Sequence, residues 1–215
     1  MTMVSTDTLI ASLTEQVAPV QVRAVEGRLL LGLLIGGVVT ALAVVDLGLR
    51  PDLSHALYGS TIWMKWGYTL SIALVAGFGV TLLARPERRD VRWLWLALVP
   101  VLLLAALAVA QLAVTPVAEW QTLWLGNSWQ QCSLSVALLA VPIFGGFLWA
   151  FRSFAPTRLR LAGAVAGLAA GASAATLYGF HCPETSALFV LTWYSLGIFA
   201  AMGIGALIGP RALRW

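Results

Sequence analysis

Apolar residues fall in six long blocks separated by short polar segments, at approximately residues 29–49, 66–84, 93–114, 132–151, 161–180 and 187–208. Each block is close to the roughly 20 residues a helix needs to cross about 30 Å of hydrocarbon. The blocks are continuous and lack the two-residue alternation of barrel strands, so the pattern predicts helices. A helix also satisfies its own backbone hydrogen bonds inside lipid. The expected fold class is therefore an all-α membrane protein, a six-transmembrane-helix bundle. Ahead of the first block, residues 1–27 have a different pattern. Leu9, Ile10, Leu13 and Val17 line one face of a short predicted helix, with Ser5, Thr6 or Asp7 placed to cap it. Two regions are expected, a tail at 1–27 and a membrane domain at 28–215. The tail has no basic segment before a short apolar stretch, so a cleaved signal peptide is not expected.

Composition agrees. Of 215 residues, 60% are hydrophobic and 10% charged, against about 25% charged in ordinary soluble domains. The distribution of the charges carries more than the net +4. Eleven of the 13 basic residues lie before block one, between blocks two and three, between four and five, or after six. The others are Arg50 and Lys65. Short loops rich in arginine stay in the cytoplasm, which predicts both termini inside and a multi-pass protein of a bacterial inner (cytoplasmic) membrane. On that topology the opposite face holds both histidines, His55 and His181, and both cysteines, Cys132 and Cys182. It also holds Trp120, Trp124 and Trp129, whose rings suit the membrane interface.

Candidate chemistry is sparse. Cys132 and Cys182 admit three readings: inert thiols, a structural disulfide, or a redox or metal sensor. His181 beside Cys182 adds a third soft or borderline donor, making Cys132, Cys182 and His181 a candidate metal set, although no CxxC or HExxH spacing occurs. No obligatory cofactor is expected, only a transient heavy-metal ion. Lys65 is either an interfacial lysine snorkelling to the headgroups among Tyr58, Trp63, Trp66 and Tyr68, or half of a structural ion pair with Asp46 that ties the first two helices together. Small residues recur every four positions at Gly163, Gly167, Gly171, Ala175 and Gly179, and again at Gly197, Ala201, Gly205 and Gly209. That spacing lets helix backbones approach closely. Paired carboxylates, a nucleophile elbow and a phosphate loop are all missing, so catalysis is not expected. A small transporter and a thiol–disulfide membrane protein stay as alternatives. The membrane-centre acids or amides of a transport path are lacking, as is a second dithiol to pass electrons onward.

The tail is acidic, with three acids against Arg23, so anionic lipid repels it and a basic cytosolic partner suits it better. A helix this short is marginal alone and orders against a partner. Asp7, Leu9, Ile10, Leu13 and Val17 are the candidate contact residues; a disordered or membrane-lying tail is the plainer reading.

Several segments together carry a family resemblance. They are Asp7-Thr-Leu-Ile-Ala-Ser-Leu, Arg50-Pro-Asp-Leu, Lys65 with Tyr68, Arg85-Pro86, Cys132, Tyr178-Gly-Phe-His-Cys-Pro-Glu184, Trp193-Tyr194 and Gly209-Pro-Arg-Ala-Leu-Arg-Trp215. The chain resembles the NrsF-type membrane anti-sigma factors, negative regulators of extracytoplasmic-function sigma factors in Gram-negative bacteria. That resemblance implies a chain that holds a sigma factor at the inner membrane. It implies release of that factor on envelope-side metal or oxidative stress, with Cys132 and Cys182 in the response. The implied partners are the sigma factor and membrane lipid, with no direct nucleic acid and no small-molecule substrate. A sigma factor's DNA-binding surface is basic, which favours the acidic tail as the contact; the arginine loop at 85–92 is the second choice.

Overall fold

The computed structural model describes residues 6–15, 24–85, 92–154 and 156–214, and within these every regular element is helical. Val17 and the arginines at 23, 88 and 89 lie outside the described residues. Helix α1 (Thr6–Glu15) is followed by α2 (Ala24–Asp46), the short α3 (Leu53–Tyr58) and α4 (Ser60–Leu83). A 3-10 segment at Arg92–Ala97 leads into α5 (Leu98–Val114), the short α6 (Trp120–Leu125) and α7 (Trp129–Phe151). Then come α8 (Leu159–Tyr178), the single turn α9 (Ala187–Phe189), a π-helical turn at Val190–Tyr194, and α10 (Ser195–Ala212). Six of the helical stretches are long and apolar enough to span a membrane. The protein is thus a membrane protein by length and composition of its helices. The second span starts at Ser60, six residues before the apolar block suggested, because Lys65 interrupts that block in sequence but not in the helix.

α8 is the most buried of the spans, and its composition explains why. More than half of its positions are Ala or Gly, so neighbouring backbones can touch it on several sides. Gly163 faces the backbone of Gly205 and Gly209, and Gly167 faces Ala201. A methyl group at Gly163 would overlap the Gly205 carbonyl. The expected small-residue seam between the last two spans is therefore present, with two members diverted. Gly197 lies against Ser133 and Val136 of α7, and Gly179 lies under Trp66 of α4. A second seam, unanticipated, joins α2 to α7: Gly32 and Gly146 meet backbone to backbone, and Gly36 rests on Pro142 and Ile143. Here the small residues sit on two helices about a hundred positions apart, so no local repeat signals them.

Outward-facing leucines such as Leu42, Leu74 and Leu102 are well exposed in the isolated chain, as lipid-facing positions should be. Several buried hydroxyls find partners within the bundle. Thr40 donates to the Leu139 carbonyl at 2.9 Å, Thr176 to the Thr69 hydroxyl at 2.8 Å, and Tyr68 and Ser195 share a 2.6 Å hydrogen bond. Gln111 of α5 reaches across to accept the Ala187 N–H at 2.9 Å, which satisfies an otherwise open donor at the start of α9.

Candidate functional site

The two cysteines meet. Cys132 occupies the first turn of α7, and Cys182 sits in the turn after α8. That turn winds on for a few residues, with the His181 and Cys182 N–H groups both donating to the Tyr178 carbonyl at 2.9 and 3.0 Å. Pro183, which lacks an N–H, then ends it. The winding turns Cys182 inward. Both thiols are fully buried and free, and each acts directly on the other. The neighbouring Cys132 thiol, with the Lys65 ammonium near by, draws the Cys182 thiol below its ordinary range against the opposing effect of burial.

Three other chains of contact hold the turn. Lys65 Nζ donates to the Cys182 carbonyl at 2.9 Å and lies 5.8 Å from the centre of the Tyr194 ring. Arg50 donates its backbone N–H to the Phe180 carbonyl at 3.0 Å, and its guanidinium reaches the Cys182 carbonyl at 3.5 Å. The same guanidinium makes a bidentate pair with Asp52, both contacts at 2.7 Å, which holds the Asp52 carboxyl below the usual carboxylate range. Glu184 accepts the Asn127 N–H at 2.7 Å and the Ser128 hydroxyl at 3.2 Å, just ahead of α7.

The π-helical turn shapes the remaining wall. Such single wide turns are frequent at functional sites. Here the turn ends on Tyr194, fully buried against Cys182, whose hydroxyl has no hydrogen-bond partner of its own. Trp193, one residue earlier, donates to the Trp124 carbonyl at 2.8 Å and packs on the rings of Trp124 and Trp129. The tryptophans of this end thus form a cluster over the cysteine site as well as a boundary belt.

Two expectations need correction. Lys65 pairs with no carboxylate among the described residues, where the ion pairs are Arg50–Asp52 and Arg85–Glu26. Asp46 is exposed at the end of α2, whereas Lys65 is 0% exposed. It neither pairs with Asp46 nor snorkels, because α4 begins early enough to place it on the inward face beneath the cysteine turn. The three-residue metal set is not assembled either. His181 turns its Nδ1 to the Gly48 carbonyl at 2.5 Å and its ring to Tyr178, and Glu184 is engaged ahead of α7. Among the described residues no group of three or more His, Cys, Asp or Glu side chains could hold a metal ion. The cysteine pair alone remains.

Helix α1 precedes the membrane-spanning helices in the chain. It buries none of its residues, and Leu9, Ile10 and Leu13 are each more than half exposed, with Asp7 in the first turn. At the foot of α2, Glu26 pairs with Arg85 just beyond α4, and Arg28 donates to Ser153 just beyond α7.

Residues 13–215 match the family described as negative regulator of sigma F. The chain belongs to that family. A curated member, anti-sigma-F factor NrsF of Caulobacter vibrioides (strain NA1000 / CB15N), is 38% identical over 213 residues, 98% of this chain and 99% of its own. A probable anti-sigma-F factor NrsF of Azospira oryzae (strain ATCC BAA-33 / DSM 13638 / PS) is 40% identical over 177 residues, 82% of this chain and 83% of its own. No solved structure matches. Five of the family segments converge in space: Arg50, Lys65, Cys132, the 178–184 block and Tyr194 make one site. Sequence reasoning named the cysteines but missed Lys65, Arg50 and Tyr194 as their neighbours. The one signal was that all three sit in segments carrying the resemblance.

Proposed function

We propose that this protein is an anti-sigma factor of the bacterial inner membrane that holds an extracytoplasmic-function sigma factor and releases it under envelope-side metal or oxidative stress. The observation that carries this reading is the contact between the buried, unbonded Cys132 and Cys182 thiols, contributed by two different spans. Membership of the negative regulator of sigma F family supports the sigma-factor partner. The arginine distribution supports both termini in the cytoplasm and the cysteines on the periplasmic side. Residues 1–27 are the sigma-binding tail and 28–215 the sensor domain.

The chemistry follows from the pair. An oxidant that accepts two electrons, with loss of both thiol protons, joins the sulfurs. A soft metal ion displaces the same two protons and draws the same sulfurs together. No enzymatic step, obligatory cofactor, nucleic acid or small-molecule substrate is needed. On the cytoplasmic side, the open apolar face of α1 with Asp7 beside it offers an amphipathic helix to a basic partner. The test is a pull-down from the host of the detergent-solubilised protein, with and without residues 1–20, before and after oxidant. A sigma factor recovered only with the intact tail, and lost on oxidation unless both cysteines are serine, is the expected result. Recovery of no sigma factor by a folded preparation overturns the reading.

A further inference from the structure

Helix α4 joins the two ends of the molecule that the proposed function needs to connect. Its 24 residues rise about 36 Å at ~1.5 Å per residue, enough to cross the hydrocarbon. Near one end, Lys65 is fully buried, with the Cys182 carbonyl as its acceptor at 2.9 Å and no carboxylate in ion-pair contact among the described residues. Just past the other end, Arg85 pairs with Glu26 in the first turn of α2, the helix that follows the tail. Between these points a groove of about 350 Å³ separates α2 from α4, lined by Leu33, Leu34 and Gly37 on one side and Leu70 and Ala73 on the other. The foot of α2 therefore meets α4 through a polar link at its base.

We propose that Lys65 and Arg85 are positioning residues that carry the state of the cysteine turn along α4 to the root of the N-terminal tail. This rests on the reading of Cys132 and Cys182 as the sensor. Two separate buried thiols must close to an S–S bond of about 2.05 Å when oxidised. That closure draws Cys182 toward α7 and takes its carbonyl away from Lys65. A buried ammonium stripped of its acceptor is costly, so α4 shifts with the turn. Thr69 and Tyr68, bonded to Thr176 and Ser195, lie within four residues of Lys65 and make the upper part of α4 respond as one piece with α8 and α10. At the base, the shift separates Arg85 from Glu26 and frees the first turn of α2. The two arrangements, clasped and released, are the two states that a transmitted signal requires.

The test reads the base of the tail without needing the sigma factor. Hydrogen exchange of amides 26–32 is compared in the reduced protein and after diamide, which takes two electrons and two protons from the thiols and becomes a hydrazine. Disulfide formation is verified by thiol counting. The expected result is at least ten-fold faster exchange after oxidation in the wild type. In Lys65→Met, which forms the disulfide, exchange changes less than two-fold. Glu26→Gln leaves the cysteine site untouched, and its exchange is already fast when reduced and insensitive to diamide. It decides the matter should Lys65→Met fail to fold. A disulfide-dependent change in Lys65→Met or Glu26→Gln equal to that of the wild type overturns the proposal. Sigma-factor release, scored on the same samples, separates the two readings. Release from oxidised wild type with unchanged exchange at 26–32 overturns the α4 route and leaves the sensor standing. Failure of the wild type to form a disulfide or release its partner overturns both.

Discussion

Glu184 Oε1 accepts the backbone N–H of Asn127 at 2.7 Å, which ties the turn carrying Cys182 to the start of the helix carrying Cys132. The carboxylate also accepts from Ser128 and lies directly over Gly126, whose φ is +53°. A side chain at Gly126 would be strained by its backbone and would also strike the carboxylate. Glu184→Ala is expected to cost about 1.5–3 kcal/mol, the range for hydrogen bonds to a charged group. It should also slow diamide-driven closure of the cysteine pair. Thermal unfolding and the rate of thiol loss check the two effects separately, and Gly126→Ala should reproduce both.

The helix seams predict a sharp positional contrast among glycines. Gly163 touches the Gly205 backbone, while a Cβ at Gly203 would meet nothing within 4 Å. Gly163→Ala should therefore destabilise the bundle by about 3 kcal/mol, the upper part of the usual overpacking range. Gly203→Ala should be neutral or slightly stabilising. Unfolding in detergent of the two variants, side by side, measures the difference.

Tyr68 and Ser195 share a buried hydrogen bond of 2.6 Å between α4 and α10. A double-mutant cycle with Tyr68→Phe and Ser195→Ala should give a coupling of about 1 kcal/mol, within the range found for polar pairs between membrane helices. A coupling near zero would place the connection of these helices in the small-residue packing alone.

Because α1 buries nothing, its apolar residues can be changed without loss of stability. Leu9→Glu with Leu13→Glu should leave the unfolding temperature of the membrane domain unchanged and weaken sigma-factor binding at least ten-fold. Affinity measured with the purified sigma factor tests this. Undiminished binding would move the contact to the arginine loops.

The Arg50–Asp52 pair gives one pH dependence. Asp52 is held below the usual carboxylate range, first by its hydrogen bond from Arg50. Its stabilising contribution is thus full above the unfolded value of about 4 and disappears as pH falls through the lower folded value. The protection of the Arg50 amide, which donates to Phe180, should fall at acidic pH in the wild type once exchange rates are referred to those of an unstructured amide at the same pH. In Asp52→Asn this part of the pH dependence should vanish.

Local pattern along the chain accounts for the six spans, the apolar stripe of α1 and the seam of the last two spans. These are local properties: hydrocarbon thickness sets a length, and helical periodicity sets a face. Lipid admits only helices and closed barrels, and continuous apolar blocks lack the alternation of barrel strands, so the blocks read as helices. Loop alternation also put Cys132 and Cys182 at one end of the bundle, although it did not say that they touch. That contact comes from how the helices pack. The same packing paired Lys65 with the Cys182 carbonyl instead of Asp46, turned His181 to Gly48 instead of the thiols, and joined Gly32 to Gly146. Each of these depends on the rotation and register of helices far apart in the chain, quantities to which local periodicity is blind.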